Sequence, residues 1–280
     1  MARARPSGRG RRDTSLAAIV YALSQASDAG WASAQTLALG VGGLAGLGVF
    51  AAWELRARTP LLNVVRLRDR GVGGGFLMML TASSLLFGTF LLTSMYLQDV
   101  LGTSALETGL AFLPIAVTAA LGAHLGGHLV GHLGLRGAMP VAFGLAAVGT
   151  FLLSGVDASG SYVADVLPGI VIAGFGLGIA LVSVALSVLT GAGEHETGML
   201  SGLNTTGHEV GGSFGISVLV TIATGTLSSA APAGLVSGIG DAFLAASIIA
   251  AVAAIVAPAA LPSAASFLPK LRAAPRISMH

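Results

Sequence analysis

The chain has 280 residues, of which 54% are hydrophobic and 9% charged, with a mean hydropathy of +0.86. Soluble domains carry roughly 25% charged residues, so this chain cannot cover a water-facing globule and is expected to be an all-α integral membrane protein. Its net charge of +2 does not point to nucleic acid, because the basic residues sit in short loops between apolar runs, and the absence of cysteine excludes disulfides and thiolate metal sites.

In chain order, residues 1–14 form a basic segment with five arginines, expected to be disordered. The apolar run from Ser15 to Ala26 is about 18 Å of helix, too short for a hydrocarbon core of about 30 Å. Together the two resemble a signal peptide, with Arg11 and Arg12 as a weak twin-arginine pair, but the preferred reading is the truncated end of a longer membrane helix. Seven segments are long enough to cross a bilayer: 34–53, 75–97, 108–130, 138–155, 164–189, 206–227 and 239–260. Between the first two lies ELRARTPLLNVVRLRDR, with Arg56, Arg58, Arg66, Arg68 and Arg70. Arg136 follows the third span, and Lys270, Arg272 and Arg276 lie in the tail. The alternate loops carry Asp28, then Asp99 with Glu107, then Asp157, and no Lys or Arg. The positive-inside rule therefore places 54–74, 131–137, 190–205 and the C-terminus in the cytoplasm.

The stretch AHLGGHLVGHLGLRG, residues 123–137, sets His124, His128 and His132 at four-residue spacing, on one helix face. His124 and His132 are roughly 12 Å apart along the axis and no acid lies nearby, so no metal is expected. A polar stripe facing a lumen and, above all, simple histidines at a helix end remain. Ionisable groups within spans are candidates for function because lipid penalises them. His208 and Glu209 open the span at 206–227, about 100° apart, and Glu209 in an apolar setting is a candidate proton carrier with His208 beside it. Asp241 and Asp165 open the last and fifth spans, where a solvated N-cap is the plainer role. Gln98 and Asp99 end the second span as outer-rim candidates. The run HET at 195–197 is not H-E-x-x-H, since position 199 is Met, and no phosphate-binding loop appears. Neither an enzyme nor an ATP-driven pump is expected. The glycines of GVGGLAGLG (40–48), and Gly174, Gly176 and Gly178, read first as tight helix packing and second as a flexing gate.

The segment YLQDVLGTSALETGLAFLP, residues 96–114, resembles a signature of drug:proton antiporters in the fourteen-span branch of the major facilitator superfamily. There a span ends in Tyr-Leu-Gln, an outer loop reads V-L-G-x-S and the next helix opens G-L-x-F-L-P. AIVYALSQASDAGWAS and WELRARTPLLNVVRLRDR are similar to that branch's central hairpin and linker, and SGLNTTGHEVGGSFG (201–215) to its next-to-last helix, with Asn204 or Thr205 at the asparagine position. Gly127, Gly134 and Arg136 fit a degenerate C-terminal copy of the superfamily's loop motif. In that setting glycines allow a tight turn and the arginine meets acids or helix C-termini.

The resemblance implies the C-terminal half of a multidrug or antibiotic efflux permease: a six-helix bundle at 75–261, preceded by a partial central hairpin (15–53) and linker (54–74), and followed by a tail (262–280). It implies proton-coupled alternating access in the cell membrane, with Glu209, His208 and Asp241 as coupling candidates. No cofactor is implied beyond the proton gradient. The partners are lipid and a small amphipathic drug-like substrate if an N-terminal half completes the site. The alternative is a truncated fragment that inserts but does not transport.

Overall fold

The computed structural model describes residues 64–190, 193–225 and 232–273, with scattered positions between 41 and 56. The expected stub at 15–26 and most of the span at 34–53 lie outside these residues. The chain divides into two units, Met1–Arg68 and Asp69–His280. The first contributes helical positions between 41 and 53 and a 3-10 turn at Val64–Arg68. All else below concerns the second unit.

Its first long helix, α1 (Gly75–Met95), is flanked by π-helical turns at Arg70–Gly74 and Tyr96–Val100. A short α2 (Ala105–Ala111) starts at a capping box: Ser104 Oγ accepts the Glu107 N–H at 3.3 Å, and Glu107 Oε2 accepts the Ser104 N–H at 2.8 Å. Next come α3 (Leu113–Leu153), α4 (Leu167–Leu189), α5 (Glu194–Gly225), α6 (Pro232–Ala260) and α7 (Ala264–Ala273). Pro114 and Pro168 sit in the first turns of α3 and α4, where a missing N–H costs nothing. All the described regular structure is helical, as the composition requires of a chain in lipid.

Four helical stretches among the described residues are long and apolar enough to cross a membrane: Arg70–Val100, Ala105–Leu153, Tyr162–Leu189 and Gly234–Ala260. The second runs 49 residues, about 74 Å, more than twice the hydrocarbon core. It is broken at Gly134 (φ 67°, ψ 179°), so α3 is two arms that correspond to the expected spans at 108–130 and 138–155. The expected span at 206–227 falls on α5, which its glycines, hydroxyls, His208 and Glu209 keep less apolar than the others.

Helix also extends beyond the expected limits, over 194–205 and 264–273, because hydropathy marks only the part of a helix that meets lipid. Asp241 is corrected for the same reason. It was expected to open the last span as an N-cap, but α6 begins at Pro232 and places it about 14 Å into the helix, exposed.

The helices meet through small residues. A Cβ on Gly126 would lie 3.1 Å from Ile179 Cα, and one on Gly122 would run into the Phe175 backbone. From α4, Gly174 faces Ile115, Gly178 faces Ala119, and Gly176 faces Ala142 and Ala146. This is packing with the backbones nearly in contact, which membrane helices use because lipid supplies no hydrophobic drive between them. Packing thus accounts for Gly174, Gly176 and Gly178, whereas Gly42 and Gly48 meet nothing within 4 Å. A second seam joins α1 to α5 through Gly207, Gly211 and Gly215, set against Phe76, Leu80 and Ser84.

At Gly134 the positive φ and the Ala264 Cβ, 2.8 Å from where its own Cβ would be, both require glycine. Gly127 meets nothing within 4 Å. Gly134→Ala is therefore expected to destabilise the chain by about 1–3 kcal/mol while Gly127→Ala leaves it unchanged. Unfolding of both variants in mixed micelles measures this, and equal stability would remove the backbone argument.

Candidate functional site

The α1–α5 seam holds the ionisable residues singled out in the sequence. Gly207, Gly211 and Gly215 recur every four residues, so α5 turns one face to α1 and brings His208, beside that stripe, to the contact. His208 Nδ1 lies 2.6 Å from Ser83 Oγ, and its ring meets Phe87 with centroids 5.3 Å apart. Ser83 is fully buried. Its other hydrogen-bonding neighbour is Met79 Sδ at 3.6 Å, a weak acceptor. The stronger arrangement has the Ser83 hydroxyl donating to Nδ1, which leaves the proton of the neutral imidazole on Nε2. One residue on, Ser84 Oγ donates to Gly211 O at 2.7 Å. Two side-chain bonds thus cross the seam where the backbones are closest.

Glu209, about 100° round from His208, turns away from α1 and is exposed. Among the described residues it has no hydrogen-bond or ion-pair partner. Thr197, Ser201, Thr205 and Glu209 follow at four-residue spacing, all exposed, as a polar stripe on one face of α5. Asn204 lies one turn before His208, its Oδ1 buried and unpartnered, while Thr205 is exposed.

The first arm of α3 carries the histidines. His124, His128 and His132 are all exposed on the face opposite α4, and the His124 and His128 rings meet edge to face with centroids 5.4 Å apart. Among the described residues no three metal-binding side chains converge. At the end of this arm Arg136 Nε donates to Leu261 O at 2.9 Å, just past the last turn of α6. A cation there meets carbonyls that a helix end leaves unpaired. Ser187 Oγ, at the end of α4, donates to Gly71 O at 2.7 Å beneath α1. The same end of the bundle is therefore tied at two points.

At the other end, the buried Tyr96 donates its hydroxyl to Asp157 O at 2.7 Å, and Tyr162 donates to Ala111 O at 2.7 Å. Asp165 Oδ2 accepts the Ser161 N–H at 2.6 Å while Ser161 Oγ accepts the Ala164 N–H at 3.3 Å, so Asp165 helps cap the helix leading into α4. Gln98 donates to Ser94 Oγ at 2.7 Å, and Gln98 and Asp99 are both exposed.

Comparison with known proteins fits this arrangement. A family model described as Major Facilitator Superfamily matches residues 14–216, more than half of the chain. The chain belongs to the major facilitator superfamily. It is 32% identical over 277 residues to the cephamycin export protein CmcT of Amycolatopsis lactamdurans, covering 95% of this chain and 57% of that protein. It is 31% identical to the puromycin resistance protein pur8 of Streptomyces alboniger, over 76% of this chain and 43% of the relative. The multidrug resistance protein Stp of Mycobacterium tuberculosis is 28% identical over 76% of this chain and 40% of its own length. The chain spans about half the length of these relatives.

Of the three loop-motif candidates, Gly134 takes a positive φ and Arg136 binds the Leu261 carbonyl, whereas Gly127 meets nothing within 4 Å. Ser83 and Ser84 escaped the sequence reading. Two adjacent serines in an otherwise apolar helix were a signal, but nothing local indicated a partner 125 residues away. If the bond crosses the seam as described, Ser83→Ala and His208→Ala are coupled by about 0.6–1.5 kcal/mol in a double-mutant cycle of unfolding in mixed micelles. Strict additivity would deny the bond.

Proposed function

We propose that this chain works as the C-terminal half of a proton-coupled exporter of antibiotic or drug-like molecules. It would act by alternating access in the cell membrane, with its C-terminus cytoplasmic. The observation that carries the reading is Glu209, an exposed carboxylate without a partner among the described residues, on a helix that otherwise packs through glycines. In an apolar surround a carboxylate is stable when protonated or when paired or hydrated, so gaining or losing one proton changes what its face of α5 can lie against. His208 is held by Ser83 on the face of α5 turned to α1, about 100° round from Glu209, which leaves Glu209 as the proton carrier and makes His208 the coupling to α1. Asp241, exposed within α6, is a second acid of the same kind.

The relatives' names supply the substrate class: a cephamycin exporter, a puromycin resistance protein and a multidrug resistance protein. The small-residue seams favour rocking, since helices whose backbones touch through glycine can shift without repacking large side chains. The basic residues gathered at the Gly134 end support the orientation. Transport binding sites of this superfamily lie between two halves, and this chain covers 57% and 43% of these relatives, so the reading has a second half as the other wall. The same fact favours the alternative of a fragment that inserts without transporting.

Dye extrusion from cells expressing the chain separates these readings. Extrusion that collapses with an uncoupler, and falls at least about tenfold in Glu209→Gln, is expected; tenfold corresponds to ~1.4 kcal/mol of barrier. Extrusion that returns only when the six N-terminal helices of a relative are coexpressed would assign the second wall to them. Extrusion no better than empty cells in both settings would leave the fragment reading standing.

A further inference from the structure

The last helix, α7, follows α6 after a break at residues 261–263 that holds Pro262. Ser263 starts it, its carbonyl accepting the N–H groups of Ser266 at 3.1 Å and Phe267 at 3.0 Å. α7 packs on α3. Ala264 fills the space that Gly134 leaves, and Phe267, one turn on, is 3% exposed. Gly134 is the tip of a hairpin. In the first arm of α3, Gly122 meets Phe175 and Gly126 meets Ile179, parallel to α4, whereas in the second Ala142 meets Gly176 and Gly149 meets Gly169, antiparallel to it. A helix running straight on past that tip would leave Phe267 uncovered. Its burial therefore lays α7 across the end of the bundle.

Along α7, Ala264, Phe267, Leu268 and Leu271 fall at i, i+3, i+4 and i+7 and form one apolar stripe, while Ser266 and Pro269, on the opposite side, are exposed. The bundle covers only part of that stripe, since Leu268 and Leu271 stay partly exposed. Positions 270 and 272, a lysine and an arginine, lie about 100° to either side of it. Arg276 follows, and residues 262–280 contain no Asp or Glu. The depth is set by α6. Val256, 41% exposed, lies four residues, or ~6 Å, before the end of that helix. Apolar outer surface thus continues nearly to the break, and α7 begins in the headgroup layer just outside the hydrocarbon.

We propose that α7 is an interfacial helix whose partner is an anionic phospholipid surface. The part of the stripe that the bundle leaves bare, Leu268 and Leu271, enters the boundary between headgroups and acyl chains. The basic positions 270 and 272 flank it at the level of the headgroup phosphates, one on each side, as a helix lying in a charged plane requires. The lack of acids in this tail leaves nothing to oppose the attraction. Ala264 sits in the Gly134 turn and Arg136 binds the Leu261 carbonyl just before α7, so a bilayer that holds α7 also steadies that turn.

Lipid binding by α7 does not depend on export, and the absence of cysteine allows single labels. Leu271→Cys and, on the opposite side, Ser266→Cys are labelled with a fluorophore and checked by gel filtration. Each is reconstituted in vesicles of phosphatidylcholine, or with a third of it replaced by phosphatidylglycerol, that carry a quencher high on the acyl chain. The expected result is a bilayer-to-water ratio of the Leu271 label at least about fivefold higher in the anionic vesicles, with the Ser266 label unquenched in both. Lys270→Gln with Arg272→Gln abolishes the difference, and so does about 1 M salt acting on the intact bases, where the Debye length falls to about 3 Å. Equal quenching of the Leu271 label in the two lipids, or a difference that survives both salt and the paired substitution, overturns the assignment to anionic lipid. Equal quenching at Ser266 and Leu271 overturns the interfacial placement itself.

Discussion

The close helix contacts among the described residues answer one constraint: in a bilayer, apolar side chains gain nothing by leaving lipid for each other. What holds helices together is close approach, and close approach requires small residues. The chain meets that requirement with glycines placed where two backbones cross, at Gly122 and Gly126 with Gly174, Gly176 and Gly178 between α3 and α4, and at Gly207, Gly211 and Gly215 between α1 and α5. Two hydrogen bonds that cross between helices sit beside the second of these approaches. Ser84 reaches the Gly211 carbonyl because no side chain at 211 stands in the way, and Ser83 reaches His208 one turn earlier.

Spending one helix face on packing leaves the opposite face to the surroundings, and the chain sorts those faces by chemistry. The outer sides of α6 and the second arm of α3 present Ile, Val and Phe. The outer side of α5 presents hydroxyls and a carboxylate, and the first arm of α3 presents three imidazoles among Val117, Leu121, Leu125 and Leu133. The three histidines lie on an exposed face of α3 beside Leu121, Leu125 and Leu133, not packed within the bundle.

Much of this was legible in the sequence, for physical reasons. Apolar runs of about 20 residues gave most of the helices, because a bilayer fixes their length. Within 96–114 the structure shows Ser104 and Glu107 in a reciprocal cap, and Arg136, which the sequence offered as a partner for acids or helix C-termini, binds the Leu261 carbonyl just past α6. Adjacent positions on a helix implied that His208 and Glu209 cannot face one cavity, but not which of them turns to α1. The start of α6 was not legible, because the residues before Asp241 are less apolar yet still helical. Nor was Ser83, whose importance depends on a partner that only the tertiary seam brings near.

The exposed chemistry of the bundle implies a lipid side on α6 and a side of α5 that lipid does not touch. Spin labels introduced singly into the cysteine-free chain at Ile248, Val252 and Ile255, and at Ser201, Thr205 and Glu209, test this by their collision rates with dissolved oxygen in reconstituted bilayers. High rates at the first three positions and low rates at the last three are expected, whether protein or water covers the polar face. Equally high rates at all six would mean that lipid reaches the polar face of α5, and would contradict the division.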